Sequence, residues 1–177
     1  QRNDLLDYEL KASYSGVYMQ APLTTNRWRM RDKDYEKAKP KSTYRIALVG
    51  ASYDMGSGVK DDETYDAVLE DLLNAKNSGP YSHFEVLNFS VGGYSLIHKA
   101  IVMADVLAPF EPDLVITPVY STEANRLANH LYKVIQNDIA ITDPELRNII
   151  EKTGVQQWMG DTQVLKLLRQ HAYQFAN

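Results

Sequence analysis

Three loops of this sequence carry residues that are suited to serine-based chemistry. Ser52 comes shortly after a short apolar run, 46–49, that ends at Gly50. A serine hydroxyl becomes a good nucleophile when a base takes its proton, and the oxyanion that then forms needs preorganised donors. Gly93 follows a second apolar segment, and its N–H can approach a substrate closely because glycine has no side chain. With the polar stretch 120–125 after a third segment, the residue types predict one pocket built from three loops.

The elements that would position these loops alternate between strand and helix. Apolar runs at 46–49, 84–88 and 114–119 predict strands, and helical spacing follows the first from Asp61 and the second from Ser95. This alternation predicts an α/β fold with a parallel sheet and right-handed crossovers. Open α/β folds bind ligands at the carboxyl ends of their strands, so the three loops are expected to meet there.

The remaining segments predict a lead segment and a helical extension. Residues 1–43 are polar and tyrosine-rich, and we predict an extended segment lying across a domain that covers 44–177. Three arginines in the lead segment, at 27, 29 and 31, are predicted to be surface charge. In the first predicted helix, Tyr65, Val68, Leu69 and Leu72 share one face. From Ser121 the pattern is helical, and 127–177 is predicted to be a helical insertion or extension.

Composition limits the classes of function. The 177 residues carry a formal net charge of -4 and no cysteine. The charge argues against nucleic acid as a partner, and the missing thiols exclude disulfides and thiolate metal sites. No apolar run approaches the roughly 20 residues that span a bilayer. Neither a metal-ligand spacing nor a nucleotide-binding glycine motif is present, so we expect no metal and no cofactor.

Four stretches together are similar to one enzyme family. Residues 45–52 match a Gly-Asp-Ser motif with Ala51 in place of the aspartate, and 88–95 resemble a second motif that contains Gly93. Residues 112–116 match the strand that leads to a third motif, and 25–32 resemble the lead-in of a bacterial branch. In order and spacing, residues 26–126 resemble the SGNH (also called GDSL) hydrolases.

The resemblance implies a fold and a set of roles. The fold would be a three-layer α/β/α, flavodoxin-like sheet, incomplete at its carboxyl end because only three strands are clear. Ser52 would be the nucleophile, with its own N–H and that of Gly93 in the oxyanion hole. The third motif, Gly-x-Asn-Asp, is altered: Thr122 and Glu123 occupy the Asn-Asp positions, and Asn125 lies one helical turn further on as an alternative amide donor. The substrate would be an O-acyl ester, with acetyl groups on carbohydrate as the expectation, and an extracytoplasmic location is favoured.

The family's base is the feature that this sequence lacks. No Asp-x-x-His motif occurs. We predict that His83, His98 and His130 are solvated, and Leu168 stands where the orienting aspartate would precede His171. The chain is therefore expected to end before the final motif and to show little esterase activity by itself. The alternative is a non-catalytic module that binds a glycan or a protein partner; a nucleotide-binding domain is the weakest hypothesis.

Overall fold

The structure is a computed structural model that describes residues 5–76 and 79–137, with short pieces at 139–141, 144–145 and 147–148. The part of the predicted helical extension beyond 148, together with His171, lies outside these residues. The chain forms two compact units, 1–128 and 129–177. The elements run in the order β1 (Ser15–Tyr18), β2 (Ala21–Thr24), β3 (Thr43–Leu48), α1 (Tyr65–Ala75), β4 (His83–Asn88), α2 (Leu96–Ile101), β5 (Leu114–Ile116) and α3 (Glu123–Gln136).

A parallel three-stranded sheet lies at the centre of the first unit, which confirms the predicted α/β class. The strand order is β4-β3-β5. Leu48 of β3 pairs with Asn88 on one side and with Ile116 on the other, so the three strands end level at one edge. The loops that begin at Val49, at Phe89 and at residue 117 therefore leave the same edge, as the sequence predicted. Short 3-10 turns at Asp61–Glu63 and Ala108–Phe110, and a π-helical turn at Val102–Val106 that continues α2, complete the connections.

The central strand is longer than its apolar run because a charged side chain within it is neutralised. Arg45 is fully buried, and its guanidinium donates to the Glu85 carboxylate on β4. It also donates to the backbone carbonyls of Glu36, Lys37 and Phe110. Arginine can occupy a buried strand position when its fixed fork of donors is satisfied in this way.

The lead segment folds back on itself as a hairpin. Strands β1 and β2 pair antiparallel from Ser15 opposite Thr24 to Tyr18 opposite Ala21. Met19 and Gln20 form the tip with positive φ angles of 48° and 67°. Leu23 on β2 is buried, whereas Val17 on the neighbouring strand β1 is 73% exposed. The side of the hairpin that carries Val17 is therefore accessible to a ligand.

Helix α1 is rotated relative to the amphipathic pattern that predicted it. Three residues of the predicted apolar face, Tyr65, Val68 and Leu72, are exposed, and the buried residues of this helix are Asp66 and Glu70. Asp66 accepts a hydrogen bond from the Asn88 amide, and Glu70 accepts from the Val86 N–H and the Tyr35 hydroxyl. These hydrogen bonds to the sheet override the apolar periodicity.

A half-buried carboxyl group of the lead segment, on Asp32, hydrogen-bonds to the end of β4. Asp32 accepts hydrogen bonds from the backbone N–H of Asn88 at 3.0 Å and from the Tyr35 hydroxyl at 3.1 Å. Burial, partly offset by these hydrogen bonds and reinforced by the nearby Asp66 carboxylate, raises the pKa of Asp32 to about 8. Burial likewise raises the pKa of Asp66 to about 6. Both groups therefore favour the proton more strongly in the folded chain than in the unfolded chain.

This cluster predicts that the folded chain loses stability as the pH rises. A carboxyl whose pKa is about 8 when folded and 3.8 when unfolded contributes stability below pH 3.8 that is lost as the pH rises through about 8. We expect the free energy of unfolding to fall between about pH 5 and pH 8, by up to about 1.4 kcal/mol per pH unit for one such group. Asp32→Asn is expected to flatten this slope, as measured by urea unfolding at several pH values. Asp34→Asn, at an exposed carboxylate nearby, is the matched control, and equal slopes in the wild type and Asp32→Asn would contradict the prediction.

Candidate active site at the carboxyl edge of the sheet

The chain after β3 forms a compact turn that presents Ser52. Three backbone hydrogen bonds close it: Met55 N–H to Ala51 O, Gly56 N–H to Tyr53 O and Ser57 N–H to Ser52 O, at 2.8–3.1 Å. Ser52 itself is half-buried. Its hydroxyl and its backbone N–H make no hydrogen bond to any residue that the structure describes. The turn thus leaves both groups available to a ligand.

A buried carboxylate inside the turn holds this shape. Asp54 accepts hydrogen bonds from the Ala51 N–H at 2.7 Å, the Tyr65 hydroxyl at 2.8 Å and the Tyr120 hydroxyl at 2.7 Å. A Cβ on Gly50 would collide with the Asp54 carboxylate, so only glycine fits there. No sequence motif indicated a role for Asp54. The structure shows that it ties the loops after β3 and β5 and helix α1 to one point.

The two phenols that bind Asp54 are held in their neutral form. Burial, followed by the hydrogen bond to the Asp54 carboxylate and its charge, raises the pKa of Tyr120 to about 12. The same causes raise the pKa of Tyr65 further. Both hydroxyls therefore remain donors at neutral pH, and the Asp54 carboxylate keeps its partners.

The loop after β4 brings Gly92 and Gly93 against the Ser52 turn. A Cβ placed on Gly92 would lie 3.9 Å from the Ser52 Cβ and 3.7 Å from the Met55 methyl carbon. Gly93 has a φ of 86°, a conformation that favours glycine. Its N–H has no acceptor in the described part of the chain. Ser52 and Gly93, predicted from sequence to share a site, therefore stand in neighbouring loops with unused backbone donors.

The Asn88 side chain connects the loop after β3 with the loop after β4. It is fully buried at the end of β4, and its side-chain amide donates to the Asp54 carbonyl and to the Asp66 carboxylate, both at 2.9 Å. Its side-chain oxygen accepts from the Ser90 N–H. Sequence reasoning treated Asn88 only as the start of a motif. The signal in the sequence that could have indicated this role is a polar residue at the end of an otherwise apolar strand.

The loop after β5 contributes a buried ion pair. The Lys99 ammonium of α2 donates to the Glu123 carboxylate at 2.6 Å and to the Pro118 carbonyl at 2.8 Å. Thr122 and Asn125, the two alternative oxyanion donors predicted for this loop, are exposed at the start of α3. In residues 5–76 and 79–128 neither side chain hydrogen-bonds to the Ser52 turn or to Gly93. Their catalytic role remains a prediction.

Arg31 corrects the prediction that the lead-segment arginines are surface charge. Its side chain is 1% exposed. The guanidinium hydrogen-bonds to the end of the Ser52 turn, to strand β2 and to the 3-10 turn before α1. It can do so because its planar, fixed set of N–H donors reaches several acceptors at once. The acceptors are the carbonyl oxygens of Pro22, Met55, Gly56 and Val59 and the Asp61 carboxylate.

The histidines also depart from their predicted settings. His83 is exposed, as expected, but His98 and His130 are buried, so the prediction that both are solvated is wrong. On α2, His98 Nδ1 lies 3.1 Å from the Ser95 backbone nitrogen and 3.0 Å from its Oγ, and Nε2 lies 2.8 Å from the Asp7 carboxylate. The lead segment supplies this carboxylate, and no sequence spacing indicated it. Among the described residues, no histidine hydrogen-bonds to the Ser52 hydroxyl.

A cavity of about 350 Å³ lies beside the Gly92 turn. It is walled by the β1–β2 hairpin and the segment before it on one side and by the Ser52 and Gly92 loops on the other. The aromatic and aliphatic lining residues are Tyr8, Leu10, Tyr14, Val17, Tyr18, Leu23, Met55 and Val91. Volume and lining fall in the range of small-molecule sites.

Comparison with protein-family models, curated proteins and solved structures found no match for this chain. In the part of the chain that the structure describes, no helix is long and apolar enough to cross a membrane.

Proposed function

We propose that this chain carries the nucleophile and oxyanion hole of a serine-dependent ester hydrolase or acyltransferase of the SGNH type. Ser52 attacks the carbonyl of an O-acyl ester, and the N–H groups of Ser52 and Gly93 bind the oxyanion. The ester C–O bond then breaks, the alcohol leaves with the serine proton, and the resulting acyl-enzyme is resolved by water or by an acceptor hydroxyl. The fold proposed with this function is the three-layer, flavodoxin-like α/β/α sheet, and acetyl esters of carbohydrate are the first substrates to test.

One observation carries the proposal. A half-buried serine hydroxyl and two backbone N–H groups that have no acceptor among the described residues lie in adjoining loops at the carboxyl edge of a parallel sheet. Unused donors beside a serine are what an oxyanion hole requires, since the donors must be free before the substrate arrives. The buried Asp54 and Asn88 contacts hold these loops in place, as preorganised donors need.

Labelling by a fluorophosphonate probe tests the proposal directly. We expect Ser52 to react roughly a hundredfold faster than the exposed Ser82, the effect typical of oxyanion-hole donors. Added imidazole should raise the rate further by acting as an external base. Peptide mapping by mass spectrometry locates the label, which Ser52→Ala should abolish and Ser82→Ala should not. Turnover of p-nitrophenyl acetate by the same chain should stay low.

A second function is favoured by the missing base. No described histidine reaches the Ser52 hydroxyl, and Tyr53 beside it is exposed. Both facts suit a non-catalytic module that binds a glycan or a protein partner at the same edge. If Ser52 labels no faster than Ser82, with or without imidazole, this second function replaces the first.

A further inference from the structure

The lining of the cavity beside Gly92 is mainly apolar, and the polar groups that it also carries include the hydroxyls of Tyr8, Tyr14, Tyr18 and Thr25. The Tyr8 hydroxyl donates to the Gly92 carbonyl at 2.9 Å, and the Thr25 hydroxyl donates to the Lys11 carbonyl while accepting from the Tyr14 N–H. A sugar ring would need several polar partners here, because a buried hydroxyl without a hydrogen bond is costly. An alkyl chain needs none.

The charged residues at the cavity are also engaged with protein neighbours. Glu9 lies 3.7 Å from the Arg29 guanidinium, and the Lys11 ammonium lies over the Tyr14 ring at 5.9 Å from its centre. Neither Glu9 nor Lys11 is a buried charge that a charged ligand would have to neutralise. The cavity is therefore suited to an uncharged ligand.

The size of the cavity sets the length of the chain that fits. One water molecule occupies roughly 30 Å³ of liquid, and a methylene group is of similar size, so about 350 Å³ has room for an alkyl chain of roughly ten non-hydrogen atoms. An acetyl group would fill only a small part of it.

The position of the cavity connects it to the proposed nucleophile. Gly92 and Met55 line the cavity, and the same two residues adjoin Ser52 and Gly93. An alkyl chain lying in the cavity would have its end close to the proposed oxyanion donors.

We propose that this cavity, walled by the β1–β2 hairpin, binds the alkyl chain of an ester whose carbonyl is presented to Ser52. The substrate class is then an ester with a medium-length apolar chain on either its acyl or its alcohol side. The inference rests on the proposed function only where it assigns the chain to an ester, because alkyl binding needs no catalysis.

The first test measures binding without chemistry. The chain, labelled with ¹³C at its methionine methyls, is titrated with 1-butanol, 1-hexanol and 1-octanol. The Met55 signal should shift, with affinity rising about fourfold per methylene, and the exposed Met103 signal should not. Val17→Trp, at an exposed position that lines the cavity, should abolish the rise. Val68→Trp, at an exposed valine on α1, should leave it unchanged. Affinity that does not grow with chain length, or that Val17→Trp leaves intact, overturns the inference.

The second test separates the ester from the alkyl site. Ser52 acylation is followed by mass spectrometry with two series of esters. The first is p-nitrophenyl acetate, butanoate and octanoate, and the second is acetates of unbranched alkyl alcohols whose chains have matching lengths. A rate that rises with acyl length assigns the chain to the acyl side, and one that rises with alkyl acetate length assigns it to the alcohol side. Alcohol binding by a chain whose Ser52 is neither acylated in the presence of imidazole nor labelled by the fluorophosphonate faster than Ser82 supports the alkyl site and overturns the proposed function. Binding of acetylated glycosides in place of the alcohols overturns the alkyl site.

Discussion

Arg31→Met is expected to lower the free energy of unfolding by about 3–5 kcal/mol, because several backbone carbonyls lose a charged donor and a hydrogen bond to a charged group contributes about 1.5–3 kcal/mol. The substitution keeps the apolar stem but removes every donor of the guanidinium. Four backbone carbonyls and the Asp61 carboxylate then lose a partner, and buried acceptors without one are costly. Urea unfolding followed by circular dichroism measures the change.

Arg29→Met is the matched control for Arg31. The Arg29 side chain is 54% exposed, and its nearest carboxylate, on Glu9, is 3.7 Å away. Such a surface pair contributes at most about 1 kcal/mol. Arg31→Lys should recover only part of the loss, because one ammonium cannot replace a planar fork of donors. Equal losses for Arg31→Met and Arg29→Met would show that the guanidinium does not hold the turn.

Asp54→Ala is expected to lower the free energy of unfolding by about 3 kcal/mol or more and to reduce Ser52 labelling to the rate of Ser82. The buried Ala51 N–H would lose its acceptor at a cost of about 1–3 kcal/mol, and the hydroxyls of the exposed Tyr65 and the half-buried Tyr120 would lose theirs at a smaller cost each. The Ser52 turn would then lose the contact that fixes its first residues. Unfolding and fluorophosphonate labelling report the two effects separately.

Two further variants show whether the effect of Asp54 is specific. Asp54→Asn keeps one oxygen for the Ala51 N–H, and its amide can donate to the phenol oxygens, so it should restore much of both properties. Asp71→Ala removes an exposed carboxylate on α1 and should change neither. Wild-type labelling of Ser52 in a folded Asp54→Ala chain would show that this carboxylate does not position Ser52.

The strands and their direction could be predicted from sequence. The apolar runs 46–49, 84–88 and 114–119 lie within three residues of the bounds of β3, β4 and β5. Helical spacing between them left a parallel sheet as the simplest arrangement, and the structure has one. Gly93 was predicted for its missing side chain, and its positive φ supplies a backbone reason for glycine at that position.

The burial and the hydrogen-bond partners of the charged residues could not be predicted from local sequence patterns. Arg31 and Arg29 are two residues apart in one polar segment, yet one is buried and the other exposed. What distinguishes them is the set of carbonyls that the chain brings to Arg31 from positions more than twenty residues away. His98 is buried for the same kind of reason, because Asp7 reaches it from the lead segment.

The sequence by itself determined the α/β class, the three loops at one edge of the sheet and the glycines of the loop after β4. These features follow from local patterns, since apolar runs and glycine positions act over a few residues. Only the tertiary structure decided that Asp54, Asn88 and Arg31 hold the site, that α1 turns its carboxylates inward, and that the hairpin encloses a cavity. Buried polar groups need partners, and the fold brings those partners together from distant parts of the chain.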